Sequence, residues 1–213
     1  MIKTSLSQLL IKILSKYPQY QLSLVITGIS LLVMVFAPES IKLLRYESNS
    51  VSDGELWRIL TANFCHSNWN HWMLNIAGLW LMDIFYQPVL SQKLRSYLLM
   101  FCILLNVLFL HWFMNLTWYV GLSGALHGFL IGGALLSWNS GKWINLSIVT
   151  FTVGKLFAES FWQINAETEK LINANVVEES HTFGALSAFI FFILWTILNN
   201  KKENLNSKNK KKG

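Results

Sequence analysis

WYVGLSGALHGFLIGGALLSW, residues 118–138, runs for 21 residues without an Asp, Glu, Lys or Arg. A helix needs about 20 mostly apolar residues to cross a bilayer, so this stretch reads as a span. Inside it Ser123 stands between Gly121 and Gly124, and Gly128 continues the small-residue spacing of three and four. A smooth glycine face lets a second helix approach closely. One serine in lipid is unremarkable. A histidine, His181, opens another apolar run, and a second, His71, stands at the head of a third. That combination points to a nucleophile and a base held within one helical bundle.

Working outward, the whole chain has a membrane composition. Of 213 residues, 53% are hydrophobic and only 13% charged, against roughly 25% charged in soluble domains; the mean hydropathy is +0.40. The length allows at most six or seven spans. Six apolar segments stand out, at about 21–37, 70–88, 97–114, 119–138, 143–162 and 181–198. The expected fold is all-α: a six-helix membrane domain over 21–198, a cytoplasmic amphipathic segment over 1–20 and a basic cytoplasmic tail over 199–213. Segment 38–69 is the long outer connection, with Leu56–Leu60 as an amphipathic piece at the membrane surface. Cys65 and Cys102 form no CxxC motif.

Charge sets the orientation. Lys3, Lys12, Lys16, Lys93, Arg95, Lys142 and the tail lysines fall on one side, whereas Lys42, Arg45, Arg58 and Lys170 fall on the other with most of the acids. The positive-inside rule then puts both termini in the cytoplasm. The net charge of +6 does not signal nucleic acid. The tail directly follows a span and reads as a retention signal or a contact with acidic lipid.

In this topology the even-numbered spans all enter from the outer side. His71 and Asn75 lie near the start of span 2, Ser123 about one turn into span 4 and His181 in the first turn of span 6. At 1.5 Å rise per residue, all four fall within roughly 10 Å of the outer surface. In span 6, His181, Gly184, Ala185 and Ala188 share a face that matches the glycine face of span 4. A serine hydroxyl needs a base to become a nucleophile, and imidazole titrates near neutrality. No acid is expected on the outer side of these spans to orient the imidazole, since Glu178 and Glu179 face water. The expected form is a Ser–His dyad, with His71, Asn75 and the Ser123 backbone N–H as oxyanion donors.

Other polar residues have plainer readings. Lys155 and Glu159, an i,i+4 pair in span 5, neutralise each other facing the bundle interior. Asp83 approaches the inner headgroups. His111 is interfacial, and Trp112, Trp118, Tyr119, Trp138 and Trp143 form aromatic belts. His127, one turn from Ser123, either tunes the site or packs.

These motifs resemble the rhomboid superfamily of intramembrane serine proteases, and within it the rhombosortase branch, from Trp57 to about Phe192. Trp57-Arg58 is similar to the family's outer-loop pair. His66, His71 and Asn75 are similar to its span-2 pattern, and Gly121-Leu122-Ser123-Gly124-Ala125-Leu126-His127-Gly128 to the nucleophile motif. His181 with Gly184 resembles the base and its helix glycine. The resemblance implies Ser123 as nucleophile, His181 as base, His71 and Asn75 as oxyanion donors, and His66 as support for the loop and site surroundings. Two departures stand out. Ser180 replaces a small apolar residue, and Ser187 replaces a second glycine, which suggests slightly looser packing.

The resemblance further implies a membrane-anchored protein substrate in the lipid bilayer, cleaved near the periplasmic face of a bacterial inner membrane. Its C-terminal tail would carry a Gly-Gly sorting sequence, an apolar helix and a basic end. An amine-bearing lipid could replace water in resolving the acyl-enzyme. No cofactor or metal is implied. The competing reading is a haem or metal membrane protein in which His71 and His181 share the ligand, although no HExxH motif occurs. A transporter would require internal repeats, which the chain lacks. An aspartyl protease would require more than one Asp within a span.

Overall fold

The computed structural model describes residues 17–162 and 164–210, with side chains as far as Lys202. Residues 1–16 of the expected amphipathic segment, with Lys3, Lys12 and Lys16, lie outside the described residues, and Pro18–Tyr20 form a 3-10 turn leading into the first long helix. Among those described, six helices of 14 residues or more form one bundle: α1 (Gln21–Val35), α5 (Trp69–Tyr86), α6 (Gln92–Phe113), α7 (Ser123–Leu136), α8 (Lys142–Trp162) and α10 (Glu178–Lys210). Segments Pro18–Val35, Gln92–Phe113 and Glu178–Lys202 are long and apolar enough to cross a membrane. The bundle's outward side chains are apolar: Leu81, Trp143 and Phe151 are each more than 70% exposed. So much apolar surface requires lipid around it.

Helix α7 sits at the centre, packed against α10, α6, α8 and α5. At 14 residues it is about 21 Å long, shorter than the apolar run that predicted it. The run 118–138 is therefore not one helix. Trp118–Tyr119 forms strand β2, paired antiparallel with β1 (Tyr46–Glu47) in the register Tyr46↔Tyr119 and Glu47↔Trp118. Gly121 follows with φ +118°, a conformation that excludes helix and favours glycine. Ser123 is thus the first residue of its helix, not a turn inside it.

The glycine faces meet as their spacing predicts. A Cβ on Gly184 would overlap the Gly124 carbonyl, and one on Gly128 would overlap the Gly184 carbonyl. Ser187, expected to loosen this crossing, is fully buried, and its hydroxyl turns back to the Phe183 carbonyl at 2.7 Å.

Segment 38–69 folds into short pieces: α2 (Glu39–Leu44), β1, α3 (Ser48–Ser52), α4 (Trp57–Thr61) and a 3-10 turn at Ala62–Phe64. Leu56 and Trp57 are exposed, but Arg58 is buried. Its guanidinium donates to the Lys42 and Arg45 carbonyls at 3.0 and 2.9 Å and pairs with Glu55 at 2.5 Å. Arg58 is therefore a structural pin and not a free charge. His111, expected at an interface, bonds the buried Tyr46 hydroxyl at 3.0 Å.

At the opposite end, Asp83 does not reach headgroups. It is buried against Arg95 (2.6 Å) and Ser23 (2.6 Å). Arg95 also donates to the carbonyls of Leu90 and Gln19, so α1, α5 and α6 are tied at one point. Losing one partner of a buried ion pair strands the other charge. Asp83→Ala is expected to cost about 3–5 kcal/mol, read as a fall in the unfolding midpoint in detergent.

The last helix is longer than its apolar core. It continues through Lys201 and Lys202 to Lys210, so the start of the basic tail is helical.

Candidate active site

Ser123 stands at the positive end of α7, whose backbone ladder begins with the Leu126 N–H to the Leu122 carbonyl. The N–H groups of its first residues are therefore free of the ladder and point where negative charge is favoured. From α10, His181 Nε2 lies 3.1 Å from Ser123 Oγ. The Gly124–Gly184 contact sits one turn below His181 and sets the helix separation at which this bond forms. The expected pairing of the two helices is present.

His181 has a further partner that was not expected. Its Nδ1 lies 2.9 Å from Glu159 Oε2, with Glu159 almost fully buried. Glu159 is only three residues from the end of α8, which places it at the depth of His181. The reading that no carboxylate stands near the imidazole is therefore corrected. Glu159 also pairs with Lys155, as anticipated. Lys155 Nζ lies 3.1 Å from His127 Nε2, and His127 Nδ1 lies 2.9 Å from the Ser123 carbonyl. The His127 and His181 rings stack, with centroids 4.1 Å apart.

The fourth wall comes from α5. The Asn68 side chain caps this helix by accepting from the His71 N–H at 2.8 Å. Ser67 holds His71 Nδ1, with its N–H at 3.4 Å and its Oγ at 3.1 Å, which leaves Nε2 on the side of Gly121. The His71 ring lies against Gly121, where a Cβ would come within 2.8 Å of it. Gly121 is thus needed twice, for its backbone angle and for the ring's position. Asn75 Nδ2 donates to the His71 carbonyl at 3.0 Å and lines the same cavity.

His66 packs edge-on against His71, with centroids 5.0 Å apart. Burial first, then the neighbouring His71, push its pKa down to about 3. The ring is therefore neutral where it meets His71.

Ser123, His181, Glu159, Lys155, His127, His71 and Asn75 line one cavity of about 380 Å³, together with apolar side chains such as Leu126 and Leu130. Helix α9 (Ala166–Ile172) and residues 174–177 cover it. Ser67 donates to the Ile172 carbonyl at 2.7 Å, and Asn68 and Asn70 donate to the Leu171 carbonyl at 3.0 and 3.2 Å. Amide and hydroxyl side chains from the head of α5 thereby hold the cover down.

Tyr119, expected in an aromatic belt, is instead buried behind Ser123. Its hydroxyl faces Asn106, Ser180 and the start of α7. The Asn106 carboxamide is as close to Gly124 as a glycine allows. Periodicity could not reveal this pair, because β2 brings Tyr119 in by pairing with Tyr46, 73 positions away.

His127, Glu159 and His181 each bring one possible metal-ligating atom within 4.8 Å of the others. The Lys155 ammonium already pairs with two of the three, so an added cation would have to displace it. Chemically, the site offers a hydroxyl beside an imidazole, free N–H donors at a helix start and a covered apolar cavity, which is the equipment for acyl transfer.

A comparison with curated proteins finds no match. The family model of the rhomboid domain matches residues 53–199, a stretch containing every site residue named above. The chain belongs to the rhomboid family of intramembrane serine proteases.

Proposed function

We propose that this chain is an endopeptidase in which Ser123 attacks a substrate carbonyl and His181 is the base. The observation carrying this reading is the 3.1 Å contact between Ser123 Oγ and His181 Nε2 at the rim of the covered cavity. The Ser123 proton passes to Nε2 as Oγ bonds the carbonyl carbon. The oxyanion is met by the Ser123 N–H, His71 Nε2–H and Asn75 Nδ2–H. His181 then returns the proton to the leaving amine, and a second nucleophile releases the acyl-enzyme.

The finer reading concerns substrate and setting. Six spans would put both termini in the cytoplasm and the cavity beneath the periplasmic face of a bacterial inner membrane, as the lysine and arginine distribution supports. The run Gly121–Gly128 supports the rhombosortase branch, hence a membrane-anchored substrate whose C-terminal tail begins at Gly-Gly. An amine-bearing lipid would take the place of water at release.

Two measurements test this. A fluorophosphonate is expected to form a single adduct, mapped by mass spectrometry to the peptide containing Ser123; an adduct elsewhere, or none, overturns the nucleophile assignment. A substrate with the Gly-Gly tail is expected to be cut, and the same substrate with Leu-Leu in its place is not. Equal cleavage of both would leave the protease reading intact and end the narrower one. The product's mass separates hydrolysis from transfer to an amine.

A further inference from the structure

The ring of polar contacts around His181 has only one consistent hydrogen-bond direction. Lysine can only donate, and a carboxylate only accepts. Lys155 therefore donates to Glu159 and to His127 Nε2. With Nε2 accepting, His127 carries its proton on Nδ1 and donates to the Ser123 carbonyl, which can only accept. Glu159 Oε2 must accept from His181 Nδ1–H. In the neutral imidazole His181 Nε2 is then the bare nitrogen, facing the Ser123 hydroxyl. The contacts close a loop from the nucleophile's hydroxyl back to its own carbonyl, with every member used in its only possible sense.

We propose that Glu159 is the positioning residue of His181 and that Lys155 holds its carboxylate ionised and aimed at Nδ1. The assignment rests on the serine-protease reading above and extends its two groups to three. A neutral imidazole alone can carry its proton on either nitrogen; if Nε2 carried it, the serine would face a donor and have no base. Glu159 removes that choice. Lys155 lets an acid stay charged where side-chain exposure is 1%, because a buried carboxylate without a partner would neutralise instead. Lys155 is itself 33% exposed toward the cavity, so its own charge is partly hydrated. The remaining groups facing His181 are accounted for: Ser123 and His127 from α7, His71 from α5 and Lys155 with Glu159 from α8. Glu178, on the same helix, is turned to Asn165 at 2.8 Å.

The test has one arm on the native protein and one on variants. With 15N-labelled imidazole, the neutral His181 of the native chain is expected as the Nδ1–H tautomer by NMR; an Nε2–H tautomer overturns the assignment without any measurement of cleavage. Glu159→Gln is expected to lower kcat by about 10²–10⁴ with KM within about threefold. The acid limb of its kcat/KM profile moves to lower pH, because the imidazolium has lost its counter-ion. Lys155→Met is expected to move that limb the same way, since the buried carboxylate without its ammonium partner neutralises and leaves the imidazolium without a counter-ion. Glu159→Asp should restore part of kcat and a limb near the native one. Native kcat in Glu159→Gln, or a loss of rate with both limbs unmoved and no restoration by Asp, would show Glu159 to be only structural. A chain that still cleaves as Ser123→Ala would overturn the protease reading itself. The tautomer result stands apart from that outcome.

Discussion

Ser123→Ala and His181→Ala are each expected to lower kcat by about 10⁴–10⁶, and the double variant is expected to be no slower than either single one. Nucleophile and base act as one unit. Oγ accelerates nothing until a proton acceptor stands 3.1 Å away, and Nε2 has nothing to deprotonate once Oγ is gone. The losses therefore do not multiply. A residual rate above that of water would remain in all three, because the cavity, the α7 N-terminus, His71 and Asn75 still bind and polarise the carbonyl. The measurement is cleavage of one substrate by the native chain, the two single variants and the double. Both side chains sit at helix starts without bearing on the main helix crossing, so the unfolding midpoints should stay near the native value. Multiplying losses in the double variant would mean that Ser123 and His181 serve separate steps, and the mechanism would fail.

The site was legible where its residues share a depth. Ser123, His181, His71 and Asn75 each lie near the same end of a helix, and a rise of 1.5 Å per residue is enough to bring them level. The glycine faces were legible for the same reason, since helical spacing is local. Glu159 was countable but misread. Its helix runs toward the site, so a position three residues from the end is level with His181. Pairing it with Lys155 treated the carboxylate as fully used, although its second oxygen remained to accept from His181. Tyr119 and the true start of α7 depend on a strand partner in a distant loop. The fold of segment 38–69 rests on Arg58 bonding two backbone carbonyls. Contacts of that kind leave no periodic trace in a sequence.

Gly184→Ala is expected to destabilise the protein by about 3 kcal/mol or more and to disable it even in the molecules that remain folded. The added Cβ would occupy the place of the Gly124 carbonyl oxygen. A main-chain carbonyl in a helix cannot rotate away as a side chain can, so α10 and α7 must separate. Those two helices carry His181 one turn from the crossing and Ser123 directly beside it. A displacement near 1 Å at a reacting pair can cost on the order of 10²-fold in rate, so activity per folded molecule should fall alongside stability. Gly28→Ala and Gly154→Ala are the controls: each glycine is helical with nothing within 4 Å of the added Cβ, and alanine is the better helix former by about 1 kcal/mol. Both should unfold at or above the native midpoint with unchanged kcat. If Gly184→Ala behaved like them, the close crossing would not be what holds the hydroxyl against the imidazole, and the local bonds from Glu159 and His127 would have to do so alone.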